Sequence, residues 1–211
     1  MRDKQSFAQL PIDEKWNVAT HGFGLLLSLI GIPVLLWFGN YLYSSSSELI
    51  GVSIFLLGLL MVYSSSTGYH YVTGSVKYKW RIFDHISIYF LIGGTYAAYI
   101  LKYLDLSLGL KFLSVQWSII LACIIFKIFY TGKFDLLSTL LYVVIGLMVV
   151  GIAEPLVESV PYEVIIWLIA GGLSYIIGVG FYLMETYKFS HPIWHLFVLG
   201  GSTCHFIGLF Y

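Results

Sequence analysis

Seven stretches of this chain, at residues 18–38, 48–69, 82–101, 112–129, 136–153, 164–184 and 192–211, are each apolar over roughly the length that crosses a lipid bilayer. A hydrocarbon core about 30 Å thick is crossed by about 20 helical residues at 1.5 Å each. Inside it, backbone polar groups find no water, so a segment of this kind must bond to itself as a helix. The expected fold is an all-α membrane protein, a bundle of seven transmembrane helices. Its expected domains are an N-terminal tail over residues 1–17 and a transmembrane domain over 18–211. Composition agrees: of 211 residues 59% are hydrophobic and only 10% are charged, against about 45–50% and about 25% in soluble domains. The 11 basic and 11 acidic residues balance, so nucleic acid is not an expected partner. Cys123 and Cys204 stand alone in apolar runs and read as small core residues. A soluble enzyme and a disulfide scaffold are thereby excluded.

Basic residues flanking the spans predict an orientation. With the N-terminus in the cytosol, the inner segments hold Arg2, Lys4, Lys15, Lys77, Lys79, Arg81, Lys127, Lys133 and Lys188, whereas the outer segments hold only Lys102 and Lys111. The loop over residues 154–163 is purely acidic and falls outside. Positive charge accumulates on the cytosolic side of membrane proteins, so the N-terminus is expected inside and the C-terminus outside. The polar first 17 residues show no small-residue cleavage site, so they are expected to be a cytosolic tail and the first span an uncleaved signal anchor.

Ionisable side chains are costly in a membrane and are functional candidates by default. On this topology His21, His70, His85, His191 and His195, together with Asp84, fall at one level near the cytosolic face. His191 and His195 are four apart and share a helix face, and His70 reaches the same depth from another helix. Three neutral imidazoles plus a water make an open tetrahedral zinc site of the catalytic kind, with one ion per chain, in which the water's pKa falls toward about 7. The HPIWH stretch lacks the glutamate of the zincin motif, so Asp84 is the candidate base. Ser66, four residues before His70, can hold the water or hydrogen-bond a developing oxyanion. Glu14, Asn17 and His21 share one face at the start of the first span and can support the ligands or close the site. His205 lies ten residues beyond His195, about 15 Å along a helix, too far for the same ion.

Each of these residues also has an ordinary role. Asp84 and the basic cluster at residues 77–81 can form a loop ion pair, worth ~1 kcal/mol or less. Ser64, Ser65, Ser66 and Thr67 can bond back to backbone carbonyls. The pairs Gly93–Gly94, Gly171–Gly172 and Gly200–Gly201 can serve close helix packing. It is the coincidence of depth across several helices that favours a metal.

The ordered blocks Glu14-Lys-Trp-Asn17-Val-Ala-Thr-His21-Gly, Ser66-x-x-x-His70, Phe83-Asp84-His85 and His191-Pro-Ile-Trp-His195 through His205-Phe resemble the bacterial haemolysin III branch of the progestin and adipoQ receptor family. The resemblance runs from about Glu14 to Tyr211. It implies seven spans with the N-terminus inside, and a zinc ion on His70, His191 and His195, with Ser66 and Asp84 at matching positions. It further implies kinship with ceramidase-like hydrolases. The long soluble N-terminal region of the receptor members has no counterpart here, so hormone sensing is not implied.

Two functions follow as expectations. The first is a zinc-dependent membrane hydrolase of a lipid amide or ester, in the plasma membrane, with a membrane lipid as substrate and metal-activated water as nucleophile. The second is a non-enzymatic, haemolysin-type protein that perturbs or regulates the membrane and in which zinc is structural. Transport is disfavoured because the acids and histidines associated with the spans lie at one end, apart from His205, and no lysine lies deep in the last span for a retinal Schiff base. The sequence carries no sign of oligomeric state.

Overall fold

The computed structural model describes residues 6–184 and 186–211; Arg2 and Lys4, counted above on the inner side, lie outside the described residues. After a short 3-10 turn at Phe7–Gln9 come α1 (Ile12–Leu42), α2 (Ser46–Tyr71), α3 (Val76–Tyr103), α4 (Leu106–Tyr130), α5 (Asp135–Gly146), α6 (Ala153–Ser159), α7 (Tyr162–Leu183) and α8 (Ser190–Gly208). A 3-10 segment, Leu147–Ile152, joins α5 to α6. There is no strand among the described residues. Local chemistry sets the ends. Ser45 accepts from the Glu48 amide at the start of α2, and Asp105 from the Leu108 amide at the start of α4, each satisfying a donor that a helix start leaves free.

Five stretches are long and apolar enough to cross a membrane: Ile12–Gly39, Ser46–Tyr71, Leu106–Tyr130, Asp135–Ser159 and Tyr162–Leu183. The remaining two rods, α3 and α8, are less apolar. The first turns of α3 bear Lys77, Lys79, Arg81 and Asp84, and α8 bears three histidines. The fifth predicted segment differs in its interior: the run Asp135–Ser159 is not one α-helix but passes through the 3-10 turns. Gly146 and Gly151 have no neighbour within 4 Å of where a side chain would begin, so little packing holds that stretch to α-helical pitch.

Helices α2 and α3 form the most extensive pair in the molecule. Helix α2 also packs on α1; α3 meets α4 and α5, α5 meets α7, α7 meets α8, and α8 returns to α1. Glycines permit the closest approaches. A side chain at Gly58 would begin 2.9 Å from the Leu91 Cα, and one at Gly94 would begin 2.8 Å from the Phe55 Cα, so α2 and α3 run nearly backbone to backbone. Gly93, Gly171 and Gly201 are likewise closed over by neighbours, whereas Gly172 faces open space. Cys123 packs with Tyr89, Ile120 and Ile145 as a small core residue. The outward faces are apolar, with Trp37, Phe129 and Val150 among the exposed residues, as lipid contact requires.

Candidate metal centre

The ring of helices encloses a cavity of about 340 Å³ bordered by α1, α2, α3, α5, α7 and α8. His70 comes from the last turn of α2, and His191 and His195 from the first turns of α8. Each presents a ring nitrogen, and the three lie within 4.8 Å of one another. The ring centroids are 5.1 Å apart for His70 and His191, 5.1 Å for His70 and His195, and 4.7 Å for His191 and His195. This cluster could hold a metal ion. Phe189, just before α8, adopts a left-handed φ of 64°, a conformation uncommon for a side chain of that bulk. Its energetic cost lies at the turn that launches both α8 histidines.

The far side of each imidazole decides which nitrogen remains for a metal. His70 Nδ1 donates to Glu14 Oε2 at 2.5 Å, and Lys77 donates to the other carboxylate oxygen at 2.8 Å. Asn17 Nδ2 is 3.2 Å from the same His70 nitrogen, but both are donors there, and the amide donates instead to Glu14 Oε2 at 3.3 Å. His70 Nε2 is then left buried with no hydrogen-bond partner. His195 is held in the same manner. Thr20 Oγ1 donates to the carbonyls of Trp16 and Asn17 at 2.8 and 3.1 Å, which leaves its oxygen to accept from His195 Nδ1 at 3.2 Å. A second partner on the other ring nitrogen is the usual support of a metal-ligating histidine, so these residues fit an imidazole-bound ion such as zinc.

The remaining candidates border the same cavity. In the run Ser64–Thr67, three hydroxyls return to backbone carbonyls: Ser64 to Leu60 at 2.5 Å, Ser65 to Met61 at 2.6 Å and Thr67 to Tyr63 at 2.6 Å. Ser66 alone does not; its Oγ is buried in the cavity wall without a hydrogen-bond partner. Asp84 lines the cavity beside it and, among the described residues, pairs with no cation. The basic cluster is engaged elsewhere, Lys77 with Glu14 and Arg81 with Asp135. His21 stacks on His195 with ring centroids 3.6 Å apart, and both its nitrogens are buried and unpartnered. His85, turned about 100° from Asp84 along α3, still borders the wide cavity.

Two features escaped the sequence reading. Thr20 lies three residues after Asn17 on the same helix face, a spacing that could have drawn it in, but nothing local pointed to His195. The cavity also meets an apolar pocket of about 150 Å³, and Val62, Ile88, Tyr142, Val179, Trp194 and Val198 border both. His205 lines that pocket, with Nε2 3.3 Å from the Leu168 carbonyl. It stands apart from the other histidines, as its spacing predicts.

Comparison with known proteins bears on this geometry. A family model described as haemolysin-III related matches residues 11–206. A protein of Bacillus subtilis (strain 168) named hemolysin-3 homolog is 39% identical over 195 residues, covering 92% of this chain and 91% of its own length. Hemolysin-3 of Bacillus cereus is 35% identical, with 92% and 89% covered. The human monocyte to macrophage differentiation factor is 26% identical over 204 residues, with 92% and 81% covered.

Proposed function

The chain belongs to the haemolysin-III related family, and from that membership and its histidine cluster we propose that it is a zinc-dependent membrane hydrolase of a lipid amide or ester. The observation that carries the reading is the buried, unpartnered Nε2 of His70 facing the two α8 histidines, with the outer nitrogens of His70 and His195 already spoken for. His70, His191 and His195 would hold the ion. Zinc, when bound, supplies a Lewis acid and lowers the pKa of water toward about 7.

The chain's own groups then divide the remaining work. Asp84, in no ion pair among the described residues and bordering the cavity, takes the proton from the attacking water and returns it to the leaving group. Ser66, whose hydroxyl is the one in its run not tied to the backbone, donates to the oxygen on which negative charge develops. The adjoining apolar pocket receives the hydrocarbon chain, so the scissile bond sits where polar cavity and apolar pocket meet. We read the bundle as seven spans, with α3 and α8 crossing alongside the five more apolar rods, in the plasma membrane with the N-terminus in the cytosol. The site then opens at the cytosolic interface.

The test is zinc content and lipid turnover of the detergent-purified chain, wild type against His195→Ala and Asp84→Asn. About one zinc per chain is expected in wild type. His195→Ala should lose both metal and turnover. Asp84→Asn should keep the metal and lose about 10²- to 10⁴-fold in rate. Turnover that persists in metal-free protein would sink the proposal. The names of the two Bacillus relatives favour a second reading, membrane lysis without catalysis and with structural zinc. That reading gains if folded, metal-free His195→Ala still lyses cells.

A further inference from the structure

We propose that the cavity takes a lipid with an anionic, phosphorylated headgroup, and that Arg81 at the cavity rim recognises it. This inference rests on reading the cavity as a lipid site, and it names the headgroup class. Arg81 is both one-third exposed and part of the cavity wall, which places it at the opening. It shares a helix face with Asp84, His85 and Ile88, at spacings of three, four and seven. It therefore stands one turn nearer the start of α3 than the candidate base, about 4.5 Å along the axis.

The charges around Arg81 leave it only partly satisfied. Its Nη2 donates to Asp135 at 3.2 Å, but Nε is buried with no hydrogen-bond partner among the described residues. Asp135 is already shared: Lys127, 1% exposed, reaches it at 3.4 Å and donates to Ser138 at 2.9 Å. Two cations thus divide one carboxylate. Glu14, which also lines the cavity, is matched by Lys77 and His70 and is not free to serve Arg81. Asp84, one turn deeper, belongs to the reacting centre. A buried guanidinium N–H without an acceptor is costly, and a planar donor edge of this kind suits a phosphate oxygen. Among the acceptors that a bilayer supplies at an interfacial opening, the phosphate is the one whose negative charge complements a guanidinium. Orientation by positive charge alone would be served as well by exposed lysines, and does not ask for a cavity-lining arginine that keeps a buried donor.

The experiment titrates the full-length, detergent-purified chain with dihexanoyl phosphatidic acid, dihexanoylglycerol and inorganic phosphate, and measures zinc in the same samples. Phosphatidic acid is expected to bind about tenfold or more tighter than the neutral diacylglycerol, the increment of one charge-assisted contact. Arg81→Gln should erase that preference while diacylglycerol binding persists. Asp135→Asn breaks the same ion pair but keeps the guanidinium, and should retain the preference, which separates recognition from folding. No preference in wild type, or a preference that survives in Arg81→Gln, overturns the assignment. Inorganic phosphate binding as tightly as the phosphorylated lipid overturns its lipid half. A preference in wild-type protein that holds no zinc supports the headgroup assignment and removes the hydrolase reading. Zinc-loaded protein without a preference does the reverse.

Discussion

At the scale of single residues, what separates a candidate site from ordinary packing is which polar atoms remain unspent. Ser64, Ser65 and Thr67 return their hydroxyls to the backbone, as serines and threonines in apolar helices commonly do, and Ser66 does not. The spacing of Ser66 to His70 singled it out in the sequence; that its neighbours satisfy themselves is visible only in three dimensions. Thr20 is the converse case, since its partner His195 is 175 positions away in the chain and no local pattern links them. Thr20→Val keeps the shape and removes the hydroxyl that accepts from His195 Nδ1–H, leaving the Asn17 carbonyl as the ring's other acceptor. Its expected effect is a loss of about 10- to 100-fold in zinc affinity with the helix content unchanged, read by chelator competition and circular dichroism. Affinity equal to wild type would show that the hydroxyl does not orient the ligand.

At the scale of helices, positions of spans were legible because a bilayer asks for length and hydropathy, both linear properties of a sequence. The same rule explains why α3 and α8 stand out as the less apolar rods: they bear Arg81, Asp84 and His85, and His191, His195 and His205. The 3-10 interruption at Leu147–Ile152 was not legible, because a glycine inside an apolar run is compatible with either pitch until packing chooses. Packing also ranks the glycines. Gly94→Ala would place a methyl 2.8 Å from the Ile54 carbonyl oxygen and the Phe55 Cα, forcing α2 from α3. It should destabilise the detergent-solubilised protein by about 1–3 kcal/mol, seen as a lowered Tm. Gly180→Ala, with nothing within 4 Å, should be neutral or stabilising by up to ~1 kcal/mol from helix propensity. A reversed order would mean that α2 and α3 do not hold this contact in the solubilised protein.

At the scale of the whole molecule, six rods contribute to one cavity, and no pair of them would bring its walls together alone. Helix α4 stays outside the cavity wall and buttresses α3 and α5, with its buried Lys127 turned to Asp135 and Ser138. The seven-span reading with nine basic residues inside makes a global prediction. A reporter enzyme active only outside the cytosol should work when fused after Tyr211, and should fail when fused within the loop at residues 131–134. Activity in the opposite pattern would invert the bundle and move the candidate site to the outer face.

The sequence by itself determined that the chain is helical and membrane-embedded, that five of its histidines and Asp84 belong together, as the cavity they border bears out, and that His70, His191 and His195 are the set to watch. Those conclusions depend on hydropathy and on periodicity along a helix, which neighbours in the chain express directly. Tertiary structure alone decided how the imidazoles are oriented: Glu14 on His70 and Thr20 on His195. It also decided that the polar cavity meets an apolar pocket, and that Arg81 keeps a buried donor without a hydrogen-bond partner among the described residues while Lys77 pairs with Glu14. Each of these depends on the rotation of one helix about its axis relative to another. Close glycine contacts and the distribution of hydrogen bonds set that rotation, and neither is a property of any single segment.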